Sequence, residues 1–330
     1  MKILIATDAW KPQVNGVVTT ISKIQEHSKN ICLITPDDFK THSNPVYSEI
    51  RLAFPSQKEI TNLMEKHKPN YIHISTEGPI GFAVRKWCLK NKKKFTTSYH
   101  TKFPEFLQAF FKIPTFMTYW YFKRFHNSGN GMFVATESLA KDLKSRGFKN
   151  LIPWSRGVDL NRFKPIDRSL NRKTNILLYV GRVSKEKNIE TFLNLNFPGY
   201  DKVVVGDGPE LKNLKAKYKD AIFTGALKGE KLARMYALAD CFVFPSKADT
   251  FGIVMIEALA CGTPVAAYPV TGPIDILNHK VGCMDNDLHT AVKNALLLNR
   301  KDCVEHAKNY TWENVTNSFF ENVIKTNTKN

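Results

Sequence analysis

A chain of 330 residues is longer than one hydrophobic core usually organises, so two domains are expected. With 43% hydrophobic and 24% charged residues and no low-complexity tract beyond the polar end "KTNTKN", the composition excludes a disordered chain, and no apolar run reaches transmembrane length. The net charge of +18 narrows the macromolecular partners to anionic ones, a lipid surface or a nucleic-acid backbone.

The start, "MKILIATDAW", reads as a first β-strand, its apolar run before Asp8 being too short for a signal peptide. Cysteines 32, 88, 241, 261, 283 and 303 show neither CxxC spacing nor histidine partners, which predicts reduced core thiols in a cytoplasmic protein. Gly16, in "QVNGVVTT", follows the strand at a turn into a helix, where backbone amides can donate to an anion; a plain tight turn fits as well. Neither GxGxxG nor GxxxxGK[ST] is present, which disfavours a nicotinamide dehydrogenase and a P-loop enzyme.

Further along, β-branched runs "NICLIT", "YIHIST" and "KFTTSYH" alternate with helical stretches at 56–68, 80–90 and 137–146. Strand, helix, strand in repetition predicts a parallel sheet with chemistry at its carboxyl edge. His100 stands at such a strand end, where a structural hydrogen-bonding role and a catalytic one are both open. Residues 1–160 carry twelve of the eighteen excess positive charges, densest at Arg85, Lys86, Lys90, Lys92, Lys93 and Lys94. The aromatic stretch that follows, with Phe110, Phe111, Tyr119 and Trp120 among Lys112, Lys123 and Arg124, suits an anionic membrane. A solvated basic face over ordinary core aromatics is the other reading.

The polar, basic run "NRFKPIDRSLNRKTN" at 161–175 marks a connection, dividing the chain into 1–165, 166–310 and a closing helix in 311–330. The second half repeats the alternation, with strands "NILLYVG", "DKVVVGDG", "AIFTG", "CFVFPS" and "TPVAAY" between helices at 186–195, 209–219 and 228–239. Gly181-Arg182 and Gly206-Asp207-Gly208-Pro209 fall at strand ends. Arg182 and Lys187 could neutralise a diphosphate, or pair with Glu186 or Asp207. Asp249-Thr250 is expected to cap a helix beginning near Phe251 and ending at Gly262. Glu257 sits inside that apolar helix, where an unpartnered carboxylate would cost several kcal/mol. Ribose hydroxyls could donate to it, or a core arginine or amide could hold it. Asp285-Asn286-Asp287 reads as a capping loop, and no metal site is expected. Trp312, Val315, Phe319 and Val323 at helical spacing read as a core face.

Taken together, Gly16, His100, Gly181-Arg182, Lys187, Gly206-Asp207-Gly208-Pro209, Asp249 and Glu257 resemble the retaining glycosyltransferases of family 4, whose fold is GT-B, two doubly wound parallel-sheet Rossmann-like domains facing a central cleft. The resemblance spans essentially the whole chain, and its most specific piece is the pair of acids eight apart around "FG", followed by "EALACGTPVAA". It implies that amides around Gly16, together with Arg182, Lys187, Gly206 and Asp207, serve the donor, that Glu257 holds its ribose, and that Asp249 with Thr250, Phe251 and Gly252 holds its sugar. His100 would stand beside the transferred sugar. The family's first acid is usually Glu, so Asp249 unsettles any sugar assignment. "ADTFG", "TTSYHTKFPEFL" and "WSRGVDLNRF" are similar to the glycolipid-forming branch: diacylglycerol glycosyltransferases, sulfoquinovosyl transferases and phosphatidylinositol mannosyltransferases.

The expectation is therefore a metal-independent hexosyltransferase with no tightly bound cofactor. It would take a nucleotide sugar, UDP-glucose or UDP-glucuronate favoured, and a lipid acceptor such as diacylglycerol, working peripherally at the inner face of the cell membrane. GDP-mannose with phosphatidylinositol, a soluble sugar acceptor and, more distantly, a nucleic-acid-binding module remain open alternatives, although no nucleic-acid motif is present and no nucleic-acid partner is expected.

Overall fold

The computed structural model describes residues 1–13, 15–43, 51–168, 174–247 and 249–328. Two compact units emerge, Met1–Ser155 with Glu313–Asn330, and Arg156–Trp312. The first division falls after Ser155 rather than near 165, because the segment beyond it is tied to the second unit. Val158 N–H donates to Tyr310 O at 2.8 Å and Val158 bridges Thr311. Arg168 pairs with Asp240 at 2.6 Å and donates to Leu238 O at 3.0 Å. Of the expected connection at 161–175, residues 169–173 lie outside the described residues.

In the first unit six strands pair in parallel, from edge to edge Ile31–Ile34, Ile3–Ala6, Tyr71–Ile74, Thr96–Tyr99, Gly131–Val134 and Leu151–Pro153. The chain starts in the interior, steps outward once and then winds the other way, so the order reverses between Ile3–Ala6 and Tyr71–Ile74. The strand Ile3–Ala6 has no solvent exposure, which is why its sequence is an unbroken apolar run rather than an alternating one. Helices flank the sheet, among them Gln57–His67, whose first turn is closed by a Ser56/Glu59 capping box, and Pro79–Lys90.

In the second unit the six parallel strands run Ile222–Gly225, Tyr200–Val205, Asn175–Val180, Cys241–Phe244, Val265–Ala267 and Gly282–Met284. Here the order reverses between Asn175–Val180 and Cys241–Phe244. Ligands in open parallel sheets bind outside the carboxyl ends at such a reversal. Two doubly wound sheets therefore match the expected fold class. The strands Gly131–Val134, Leu151–Pro153 and Gly282–Met284 escaped the sequence reading, being short, with a glycine or proline in each.

The helix Trp312–Thr328 buries Val315, Phe319 and Val323, and Trp154 Nε1 donates to Val315 O at 2.9 Å. Its core face is the one expected from its spacing, and residues 313–330 belong to the first unit. Asp287 accepts from the His289 and Thr290 amides and so caps the helix Leu288–Ala295.

The two strand-end loops of the second unit meet backbone to backbone. Gly181 N–H donates to Val205 O at 3.0 Å and Val183 N–H to Asp207 O at 2.9 Å. Gly206 has φ +148, and a Cβ there would stand 1.9 Å from Gly181 O. Gly206→Ala is expected to destabilise the protein by on the order of 3 kcal/mol, measured by denaturant unfolding. An unchanged midpoint would mean that the two loops are not in contact.

Candidate active site

At the reversal point of the second unit, the loop leaving Asn175–Val180 carries Arg182 and Lys187, and the loop leaving Cys241–Phe244 carries Asp249 to Gly252. Asn188 Nδ2 donates to Pro245 O at 3.2 Å, joining the two loops. Lys187 Nζ lies 2.6 Å from Asp249 Oδ1, with both side chains about a quarter exposed. Lys187 thus pairs with neither Glu186 nor Asp207: Ser184 Oγ donates to Glu186, and Asp207 Oδ2 accepts from Ala226 N–H at 3.1 Å. Arg182 is half-buried, and its carbonyl accepts from the Tyr179 hydroxyl at 2.8 Å. Gly206 and Asp207 are fixed by neighbouring strand ends, which gives them a structural task whatever else they touch.

The helix that follows departs from expectation at its start. It runs Ile253–Ala260 with Gly252 at its N-cap, φ +90, and no side chain caps it. Asp249 is drawn instead to Lys187, and Phe251 is buried against the Tyr310 ring at 6.2 Å. Met255 N–H donates to Gly252 O at 2.9 Å, and the Ile253 and Val254 amides begin the helix after Cys241–Phe244 with no capping side chain, an arrangement that favours an anion. Gly262, φ +76, ends the helix as expected.

Glu257 is half-buried on this helix. Its Oε2 accepts from the Tyr236 hydroxyl at 2.9 Å, so a tyrosine holds it rather than the arginine or amide considered from sequence. Burial lifts its carboxyl to about 7, opposed by that hydrogen bond and by the charge of Arg162. Nothing in "EKLARMYALAD" distinguishes Tyr236 from a core aromatic.

In the first unit His100 ends the strand Thr96–Tyr99 as expected, with Nε2 3.0 Å from Ser75 Oγ and its ring 6.3 Å from that of Trp154. Three further polar groups gather at the same sheet edge. Asp8 accepts from Thr76 Oγ1 at 2.7 Å and from the Ile80 and Gly81 amides at 2.8 and 3.3 Å. Its carboxyl is pushed up to about 6, chiefly by burial. Buried Glu77 and His126 pair at 3.0 Å, and His126 Nδ1 reaches Thr97 Oγ1 at 2.9 Å. Gly16 opens the helix Gly16–His27, but Asn15 already accepts from the Val17 and Val18 amides, so those two are not available to an anion.

The surface residues divide. Lys92, Lys93 and Lys94 are exposed at the amino end of Thr96–Tyr99, whereas His100 is at the other end, ~20 Å away along the strand. Tyr119 turns inward, contrary to expectation: its hydroxyl donates to Glu105 Oε1 at 2.5 Å, and the Arg146 guanidinium stands 4.2 Å from its ring centre. Trp120 is exposed as expected, together with Phe116, Met117 and Tyr121 on the same helix, Thr115–His126. The side chains of Phe110 and Phe111 lie outside the described residues. Among the described residues no cluster of three or more His, Cys, Asp or Glu could hold a metal, and no helix is long and apolar enough to cross a membrane.

Glu257 keeps a proton in the folded chain that the unfolded chain releases near 4.5. Stability from this group is thus fully present below pH 4.5 and lost as pH rises through about 7. Glu257→Gln is expected to raise the thermal midpoint at pH 8 by about 2–5 °C, allowing for partial solvent contact, with the gain gone by pH 4. Paired calorimetric scans check this; equal midpoints at pH 8 would mean that the ionised carboxylate is fully compensated.

Residues 162–309 match the family model for glycosyl transferases group 1, and residues 17–162 that for glycosyltransferase family 4. The chain is 30% identical to a GDP-mannose-dependent alpha-mannosyltransferase of Corynebacterium glutamicum, over 85% of this chain and 75% of that one. It is 28% identical to the sulfoquinovosyl transferase SQD2 of Arabidopsis thaliana, over 79% and 54%, and 27% identical to an alpha-monoglucosyldiacylglycerol synthase of Streptococcus pneumoniae, over 90% and 78%. Among solved structures, sucrose-phosphate synthase from Thermosynechococcus elongatus superposes with a TM-score of 0.79 at 20% identity, covering 98% of both chains. With that relationship and two parallel α/β sheets, the chain belongs to the family 4 glycosyltransferases of GT-B fold.

Proposed function

We propose that this glycosyltransferase moves a hexose, glucose or glucuronate, from a UDP-sugar to a hydroxyl of a membrane lipid, diacylglycerol in the first instance, with retention at the anomeric carbon. The observation that carries this reading is the reversal point of the second unit. There Arg182, Lys187, Asp249 and an uncapped helix start surround one strand edge, and a half-buried carboxylate lies on the same helix. Arg182, Lys187 and the first-turn amides meet the charge that grows on the departing diphosphate. Glu257 accepts from the ribose hydroxyls, and Asp249 with Thr250, Phe251 and Gly252 faces the sugar, through backbone in the case of buried Phe251.

In the reaction the bond from C1 to the phosphate oxygen breaks and the acceptor oxygen bonds C1 from the same face. The proton of the acceptor hydroxyl passes to the departing phosphate oxygen, so no protein nucleophile is required. His100, held by Ser75, is assigned to the reacting centre.

The sulfoquinovosyl and monoglucosyldiacylglycerol relatives support a lipid acceptor. So does the outer face of Thr115–His126, where Phe116, Met117 and Trp120 are more than half exposed around a groove of about 710 Å³ that also reaches Lys123 and Arg146. Exposed aromatics beside cations suit the interface of an anionic bilayer. A second reading, mannose transfer from GDP-mannose, is favoured by the Corynebacterium relative, and the Asp249 position leaves the sugar contact open to it.

Nucleotide release from UDP-glucose, UDP-glucuronate and GDP-mannose, each with diacylglycerol or phosphatidylinositol vesicles, tests the donor and acceptor together. Turnover with a UDP-hexose that depends on diacylglycerol is expected. Turnover with GDP-mannose alone would establish the second reading, and release unaffected by any vesicle would remove the lipid acceptor. For the membrane face, Phe116→Ser with Trp120→Ser is expected to cut co-sedimentation with phosphatidylglycerol vesicles at least tenfold, and Lys92, Lys93 and Lys94→Glu to cut it less. The reverse order would put the membrane at the lysine end of the sheet.

A further inference from the structure

The Tyr236 hydroxyl touches Glu257 from a helix that the reading above assigns no part. Tyr236 lies on Gly229–Leu238, fully buried, its ring edge-to-face with Phe163 and Phe242 at centroid distances of 6.0 and 5.6 Å. Its own carbonyl accepts from Thr263 Oγ1 at 2.6 Å, anchoring the backbone as well. The ring therefore has one orientation, and its hydroxyl proton has one strong acceptor, Glu257 Oε2 at 2.9 Å.

We infer that Tyr236 is a positioning residue for donor binding: its hydroxyl fixes the plane of the Glu257 carboxylate and favours the ionised form that accepts hydrogen bonds from two ribose hydroxyls. This rests on the assignment of Glu257 to the ribose. A carboxylate accepts hydroxyl protons with both oxygens, whereas a carboxylic acid presents one weaker acceptor and a competing donor. Between those states the site is finely balanced, because burial pushes the carboxyl up to about 7 while Tyr236 and Arg162 pull it down. Among the described residues, the titratable and charged groups that act on Glu257 are the Tyr236 hydroxyl, the Arg162 guanidinium and the Cys261 thiol at the end of its own helix. Burial and the nearby carboxylate keep that thiol protonated, at about 12. Burial and the same carboxylate also hold the Tyr236 phenol well above its ordinary range, so it stays a donor at every working pH. Without the hydroxyl only Arg162 opposes burial, and Glu257 must ionise at higher pH.

The test is UDP and GDP affinity by calorimetric titration from pH 5.5 to 9 for the wild type, Tyr236→Phe and Glu257→Gln. The ratio of variant to wild type cancels the titration of the nucleotide itself. Tyr236→Phe is expected to bind about fivefold more weakly at pH 7, as a one-unit rise takes the ionised fraction from about half to about a tenth, and to recover toward the wild type by pH 9. A loss that is uniform across pH, or that persists with 2′,3′-dideoxy nucleotides, would overturn the inference and make Tyr236 a packing residue. If Tyr236→Phe does not fold, 3-fluorotyrosine at position 236, a stronger donor, must move the affinity midpoint downward; an unmoved midpoint overturns the inference equally. Undiminished binding by Glu257→Gln would instead refute the ribose assignment on which the inference rests.

Discussion

A parallel sheet that winds outward from two adjacent central strands must leave, between them, a place where the connecting loops part to opposite faces. Arg182, Lys187 and the segment Asp249 to Gly252 in the second unit are organised around that one topological necessity. Asn175–Val180 and Cys241–Phe244 are neighbours in the sheet, but their following chains diverge, and the gap is lined by what those chains offer first: Arg182 and Lys187 from one, Asp249 to Gly252 from the other. Backbone amides at a helix start and cations on a short loop are what an anionic ligand needs, and here both arise from chain direction rather than from a dedicated pocket.

Two carboxylates in that region are handled differently. Asp249 remains in partial contact with water and is neutralised by Lys187 at 2.6 Å, which keeps acid and cation in register before any ligand arrives. Glu257, also half-buried, has no cation within ion-pairing distance among the described residues; one tyrosine hydroxyl partly offsets its desolvation. A fold selected for stability alone would replace it with a neutral residue. In the function proposed above it is kept for the ribose, a trade of stability for binding of the kind that recurs at functional sites. Asp8 in the first unit makes the contrast: equally burdened by burial, it accepts two amides and a hydroxyl at the start of Pro79–Lys90, and those bonds give it a structural purpose.

Much of this was legible in the sequence. Unbroken apolar runs such as "KILIAT" and "NILLYV" announced buried parallel strands, and glycines and charges just past them marked the carboxyl edges. Glu257 stood out because a charge inside "IVMIEALA" has no cheap solvation. What stayed hidden depended on contacts across the chain. Tyr236 and Glu257 are 21 positions apart, and a tyrosine in an amphipathic helix looks the same whether its hydroxyl faces water or a carboxylate. The start of Ile253–Ala260 was misplaced because Asp249 looks like a capping residue locally, while Lys187, 62 positions away, claims its oxygen. The aromatic stretch also misled by composition: Tyr119 and Trp120 are adjacent, yet one turns into the core and the other into solvent, a matter of helix phase.

The most direct measurement is a crystal structure with UDP-glucose, or with GDP-mannose should that prove the donor. The account predicts ribose hydroxyls within hydrogen-bond distance of the Glu257 carboxylate, with Tyr236 still on Oε2, and the diphosphate against Lys187 and the first turn of Ile253–Ala260. A nucleotide seated elsewhere, with Glu257 touching only protein, would contradict it.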